Sequence, residues 1–245
     1  MVSIWQSTQP YIEVSWRADE QQVAESLNLI RESVGTVVGL GGVFAGDWTL
    51  AVPGSADAKT VSLDDLDDAA LLDLIQRGVD RNHDGSAYSS AGYAVSLMTL
   101  RPNGTGAAIE LRIGASSDQP NSGSLTLSIM QPDRDVEIDV SGSLGAHGRR
   151  ALEALVDLWH ASSARLGVTN ANRAQRKYSF RLGLTTFLRH RPVPFTLVRL
   201  PAAVEVSQVE DGVWIEVRPG TEELHGVIAT VVDASSVINQ MADSV

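Results

Sequence analysis

In the stretch DRNHDGSAY, Asp80, Asn82 and Asp84 alternate and Gly85 follows them. A calcium-binding EF-hand loop opens this way, with oxygen ligands at its first, third and fifth positions and a glycine at the sharp turn of the sixth. Such a loop closes on a bidentate Glu at its twelfth position, which here is Ala91. The chain then reads GYAVSLMTL, which alternates and is rich in β-formers, so a strand is expected where the motif needs an exiting helix. With half the ligand set missing, these residues read as a polar turn between a helix and a strand.

The histidines His83, His147, His160, His190 and His225 fall in no metal-ligand spacing. No GxSxG elbow offers a nucleophilic serine. With no cysteine in the chain, disulfides, thiolate nucleophiles and Cys-ligated zinc are excluded. Carboxylates stand in pairs at Asp64/Asp65, Asp67/Asp68 and Asp133/Asp135. A catalytic pair needs one member in an apolar pocket to raise its pKa, whereas these runs read as solvated faces and loops. The glycines between Gly35 and Gly46 match neither GxGxxG nor the Walker pattern, and a helix precedes them where a phosphate loop needs a strand. They read as a flexible connector. The motifs imply no cofactor, no metal and no catalytic constellation.

The elements that would position these residues are legible from periodicity. YIEVSWR alternates and predicts a strand over Tyr11–Arg17, followed by a helix in DEQQVAESLNLIRESV with Val23, Leu27, Ile30 and Val34 at helical spacing. Ser62 is expected to cap a second helix, with Asp64 and Asp65 in its first turn and Leu66, Ala70, Leu74 and Ile75 facing inward. Three strand-like runs follow, GYAVSLMTLR, AAIELRIGAS and GSLTLSIMQ, separated by turn residues, and DVEIDVS reads as a fourth. RRALEALVDLWHASSARLG predicts a long helix. VEVSQVEDGVWIEVRPG predicts a hairpin turning at Glu210-Asp211-Gly212. The segment from Thr221, as cap, predicts the last helix. Successive strands at this spacing argue for an α+β fold, an antiparallel sheet with helices packed on one side. The pattern breaks near 141–148. This admits a single domain over 1–245 or two subdomains, 1–142 and 146–245.

Composition is that of an ordinary folded protein, 43% hydrophobic and 20% charged. No apolar run is long enough to cross a bilayer, and no signal peptide is read at the N-terminus. A cytoplasmic protein without a membrane partner is expected. The net charge of −11 is uneven: residues 1–145 carry 20 Asp/Glu against 8 Lys/Arg, and residues 146–245 carry 10 against 11. An acidic half repels nucleic acid and attracts basic partners, or serves solubility alone. Between Asp157 and Glu205 there is no acid, and arginines from Arg165 to Arg199 interleave with Tyr178, Phe180, Phe187 and Phe195. That pattern can stack bases, but it also suits a short amphipathic helix in YSFRLGLTTFLRHRPVPF, and no direct nucleic-acid binding is expected.

The order of these segments resembles a family of bacterial polymorphic-toxin immunity proteins, immunity protein fifty-two. The parallels are the opening YIEVSW, the acid-rich helix ending LLDLIQRG, the loop with Asp84-Gly85 and the run GYAVSLMTL. They continue through ALEALVDLWHASSARLGVTN and GLTTFLRHRPVPF to DGVWIEVRPG with its following helix. The resemblance implies a non-catalytic cytoplasmic antidote that binds a cognate toxin domain, often a nuclease, and blocks it. It supplies no site residues. On charge alone, Asp64, Asp65, Asp67 and Asp68 are the candidate partner-binding residues, facing a basic, nuclease-like toxin. A scaffolding protein of a secretion or phage-like system, and an enzyme with scattered site residues, are the alternatives.

Overall fold

The computed structural model describes residues 10–17, 23–54, 59–79, 84, 86, 92–114, 122–131, 138–175, 181–189, 201–220 and 223–242. Its spine is the strand β1 (Pro10–Trp16), whose odd and even residues face opposite sides. Ile12, Val14 and Trp16 are fully buried on one side, while Glu13 and Ser15 are half-buried on the other. β1 sits mid-sheet because both of its edges are paired. Antiparallel β6 (Gly123–Met130) lies on one edge and antiparallel β7 (Ser163–Val168) on the other.

From β6 the sheet continues through β5 (Gly106–Ile113) and β4 (Tyr93–Leu100) to the short β2 (Thr49–Ala51) and the edge strand β3 (Thr60–Ser62). From β7 it continues through β8 (Thr185–Arg189) and β10 (Gly212–Val217) to the other edge, β9 (Val204–Val209). The ten strands form one sheet, antiparallel at every pairing. The α+β class and the antiparallel meander are as expected. The break near 141–148 does not interrupt the sheet, since β1 from one side of it pairs with β7 from the other. Ser141–Gly145 form a π-helical turn leading into α3 (Ala146–Leu158).

Helices α1 (Ser26–Val38), α2 (Asp68–Arg77) and α3 cover the face that carries Ile12, Val14 and Trp16. Strand alternation shows that the helices beyond β7 take the opposite face. Phe187 and Trp214 join the main core, while their chain neighbours Leu188 and Ile215 join a second apolar cluster with Val227, Val231 and Ile238 of α5 (Leu224–Ala242). The short α4 (Thr169–Ala174) packs on α5 and contributes Ala171 to that cluster. α3 is fastened to the C-terminal strands from the main-core side. The Arg149 guanidinium lies 3.7 Å over the Trp214 ring and pairs with Glu216 at 2.6 Å.

At the centre of the main core, Trp16 stacks on Trp159 with ring centroids 4.1 Å apart and planes at 20°. The Trp159 indole N–H donates to Ser33 Oγ at 2.8 Å, and Ser33 donates to the Leu29 carbonyl at 2.7 Å. One aromatic pair thereby links β1, α1 and the end of α3.

Several elements differ from the sequence expectations. Ser62 caps nothing: it closes β3, and α2 begins at Asp68 with Asp67 as its cap, accepting from the Ala70 N–H at 2.8 Å. Asp67→Ala should therefore cost about 1 kcal/mol, and Asp67→Ser should recover most of it, read as thermal midpoints of the two variants. The long helix expected over 149–167 stops at Leu158. His160 adopts φ +46, Ala161 N–H reaches back to the Val156 carbonyl at 2.9 Å, and the chain reverses into β7. The helix expected around 178–195 is not formed in its described part: 181–184 are irregular and Thr185–Arg189 are strand β8. Ile138–Val140, at the end of the expected strand DVEIDVS, are not strand, and 135–137 lie outside the described residues. α1 starts at Ser26 behind a 3-10 turn at Val23–Glu25. Thr221 lies outside the described residues. The glycine connector is ordered by burial: its 3-10 turn Gly42–Phe44 inserts Val43 and Phe44 into the main core.

Candidate partner-binding surface

Asp64, Asp65, Asp67 and Asp68 share one turn between edge strand β3 and α2, and all four are exposed. They are not equivalent. Asp67 caps α2, and Asp68 lies 3.4 Å from Arg31, a mostly solvated pair worth little by itself. Arg31 acts mainly on the backbone, donating to the carbonyls of Leu63 at 3.1 Å and Leu66 at 2.7 Å. It ties the turn to α1. Asp64 and Asp65 have no ion-pair partner among the described residues.

The sheet register shows what stands beside this turn. Thr49 pairs with Ser62 on one side and Met98 on the other, and Leu63 N–H donates to the Trp48 carbonyl at 2.8 Å, one position past the ladder. Asp47 lies two residues before β2, at the end of the sheet where β3 leads into the turn towards α2. The preceding Gly46 lies against β4, where a Cβ would come within 2.9 Å of Thr99 Oγ1. Asp47 is exposed. It belongs to the same acidic end of the sheet. No sequence signal marked it, because β2 joins β3 and β4 only through strand pairing.

The second feature is the sheet face that no described helix covers, over β4, β5, β6, β1 and β7. One transverse row across it reads Ser96, Glu110, Thr126, Glu13, Arg165, Thr186. Arg165 pairs with Glu13 at 2.5 Å, and Ser96 donates to Glu110. A polar row on the solvent side is what a one-sided antiparallel sheet requires. Towards the acidic end the same face turns apolar, with rows Met98–Ala108–Ser128–Tyr11 and Leu100–Gly106–Met130. Leu100 is 55% exposed. The Tyr11 hydroxyl is buried with no hydrogen-bond partner among the described residues, and burial pushes its pKa up.

The remaining candidates do not converge. His147, His160 and His225 are exposed on separate elements, and His83 and His190 lie outside the described residues. Of the calcium-like loop, Asp84 and Ser86 are described. Asp84 accepts from the Ser86 N–H at 2.9 Å and its hydroxyl at 2.5 Å, bonds that hold its carboxyl below the usual range, as in a polar turn. Asp133 and Asp135 lie outside the described residues. Among the described residues no group of three or more His, Asp or Glu is placed to hold a metal ion, and no helix is long and apolar enough to cross a membrane. In the arginine-rich span, Arg165 and Arg189 are engaged by Glu13 and Asp211, and Phe187 is buried against Trp214 at 4.7 Å. Arg176, Lys177, Tyr178, Phe180, Arg191, Phe195 and Arg199 lie outside the described residues.

No protein-family model matches the sequence, and no curated protein matches it. The fold, however, is similar to that of a solved structure, the Pseudomonas aeruginosa T6SS protein PA0821. The TM-score is 0.50 at 11% identity, and the match covers 96% of this chain and 82% of that chain. At that identity the likeness is one of fold.

Proposed function

We propose that this chain is a non-catalytic immunity protein. It binds a cognate toxin domain, of nuclease type, and neutralises it in the cytoplasm of the cell that makes both. The observation that carries the reading is the fold shared over nearly the whole chain with a protein of a type VI secretion system. The acidic end of the sheet supports it chemically. A nuclease must present a basic surface to hold phosphates, and exposed Asp47, Asp64 and Asp65 beside Asp67 and Asp68 offer that surface a complementary field. Complementarity of this kind speeds association and selects partners more than it adds affinity.

The test is a pull-down with the tagged chain and the C-terminal domain of the protein encoded immediately upstream of its gene. A stoichiometric complex that survives gel filtration is expected. If the two purified proteins elute separately at micromolar concentration, while the chain self-associates, the protein is a scaffold rather than an antidote.

A further inference from the structure

The two edges of the sheet are unlike. β3 is three residues long, whereas β9 presents six, Val204–Val209, in one-to-one register with β10 and without a bulge. Natural sheets blunt such an edge with proline, lysine, a bulge or a covering segment. β9 contains neither proline nor lysine, and Glu205, Ser207, Gln208 and Val209 are all exposed. Its one charge, Glu205, is paired within the chain to Arg218 at 2.8 Å.

The ladder decides which backbone groups face outward. Arg218 N–H donates to the Ala203 carbonyl at 2.7 Å, so the pairs that exchange hydrogen bonds with β10 are Glu205/Glu216, Ser207/Trp214 and Val209/Gly212. Val204, Val206 and Gln208 therefore turn their backbone groups away from the sheet. Of these groups, the Val204 N–H is taken up by the Pro201 carbonyl at 2.8 Å. The Val204 and Val206 side chains lie on the α5 side, half-buried at the margin of the second apolar cluster. That cluster ends at the outer edge of the sheet.

We propose that β9 pairs with β9 of a second copy of this chain, antiparallel about a two-fold axis through Val206. The inference goes beyond the immunity reading and does not depend on it. About this axis Val206 meets Val206 and exchanges both hydrogen bonds, and the Gln208 N–H meets the Val204 carbonyl in each direction. The apolar margins of the two second clusters then join. No charge faces a like charge: Glu205 falls opposite Ser207, Val209 opposite Ala203, and Glu210 opposite Ala202. The two Glu205 side chains are diagonal neighbours, each already paired to its own Arg218. Asp211 stays with Arg189 and Glu216 with Arg149. Shifted to an axis through Glu205, the pairing would oppose two glutamates. Shifted to Ser207, it would set Val204 against Glu210 of the hairpin turn. The contact is isologous, so it closes at two copies. The acidic turn beside β3 lies at the far end of each sheet and stays free.

The experiment is sedimentation of the purified full chain from low micromolar to a few hundred micromolar, at low and at moderate salt. A monomer–dimer equilibrium is expected. It should tighten as salt rises, because each copy carries a net charge of −11. Ser207→Glu sets a carboxylate opposite Glu205 of the second copy and should weaken the dimer roughly 2- to 30-fold, counting both symmetric pairs. Ser207→Lys, opposite the same glutamate, should strengthen it. Val206→Pro removes the outward N–H at the axis and should abolish the dimer, with a thermal midpoint near wild type because an edge strand tolerates proline at such a position. If that midpoint falls well below wild type, the two Ser207 variants decide alone. A chain that stays monomeric at every concentration and salt overturns the proposal. So does a dimer that Ser207→Glu leaves unchanged, one that Ser207→Lys weakens as much as Ser207→Glu does, or growth beyond two copies.

Discussion

Trp159→Ala is expected to lower stability by about 3–5 kcal/mol. Trp159 is 3% exposed and follows directly on α3, so its ring cannot be replaced by solvent or by a neighbouring side chain. Three interactions go at once. The stack on Trp16 is lost, the indole no longer donates to Ser33, and a cavity opens between β1, α1 and α3. A loss of that size is a large share of the total for a folded domain, about 5–15 kcal/mol. At roughly 2–4 °C per kcal/mol for a chain of this size, the thermal midpoint should fall by on the order of 10 °C. Trp159→Phe keeps part of the stack and loses the hydrogen bond, so its midpoint should lie between the two. A calorimetric midpoint for Trp159→Ala within about 2 °C of wild type would mean that the stacked pair is not what holds these elements together.

Reversing Asp47, Asp64 and Asp65 to lysine is expected to slow association with the toxin domain by roughly 10- to 100-fold at low salt. The three residues are chosen because they are exposed and none of them caps a helix or pairs with Arg31. The variant should therefore melt like wild type, which Asp67 and Asp68 substitutions would not guarantee. The penalty should shrink as ionic strength rises, because exposed charges are screened over about 8–10 Å at physiological salt. Stopped-flow rates at several salt concentrations read this directly. A slowing that is independent of salt would point to lost contacts rather than to a lost field, and unchanged rates would remove the acidic end from the recognition surface.

Much of this architecture could be read from periodicity. β1, β4, β5, β6 and the β9–β10 hairpin announce themselves because each alternates with turn residues on both sides. β7 does not. ALEALVDLWH has helical spacing and runs into SARLGV without a glycine or proline, and the reversal falls on His160 in a left-handed conformation that sequence assigns to glycine. β8 was hidden by its setting among arginines, where charge and aromatic content suggested a surface helix. In the structure Phe187 is core and Arg189 reaches Asp211. The acidic turn was visible from composition alone. Its organisation was not, because Arg31 binds carbonyls some thirty residues away and Asp47 joins the turn only through strand pairing.

The central claim is tested most directly in living cells. A strain carrying the upstream-encoded toxin domain under an inducible promoter is plated with and without this chain on a second plasmid. We expect the toxin to stop growth and the wild-type chain to restore it. Growth arrest that the wild-type chain does not relieve, with both proteins present in the cells at comparable levels, would contradict the account.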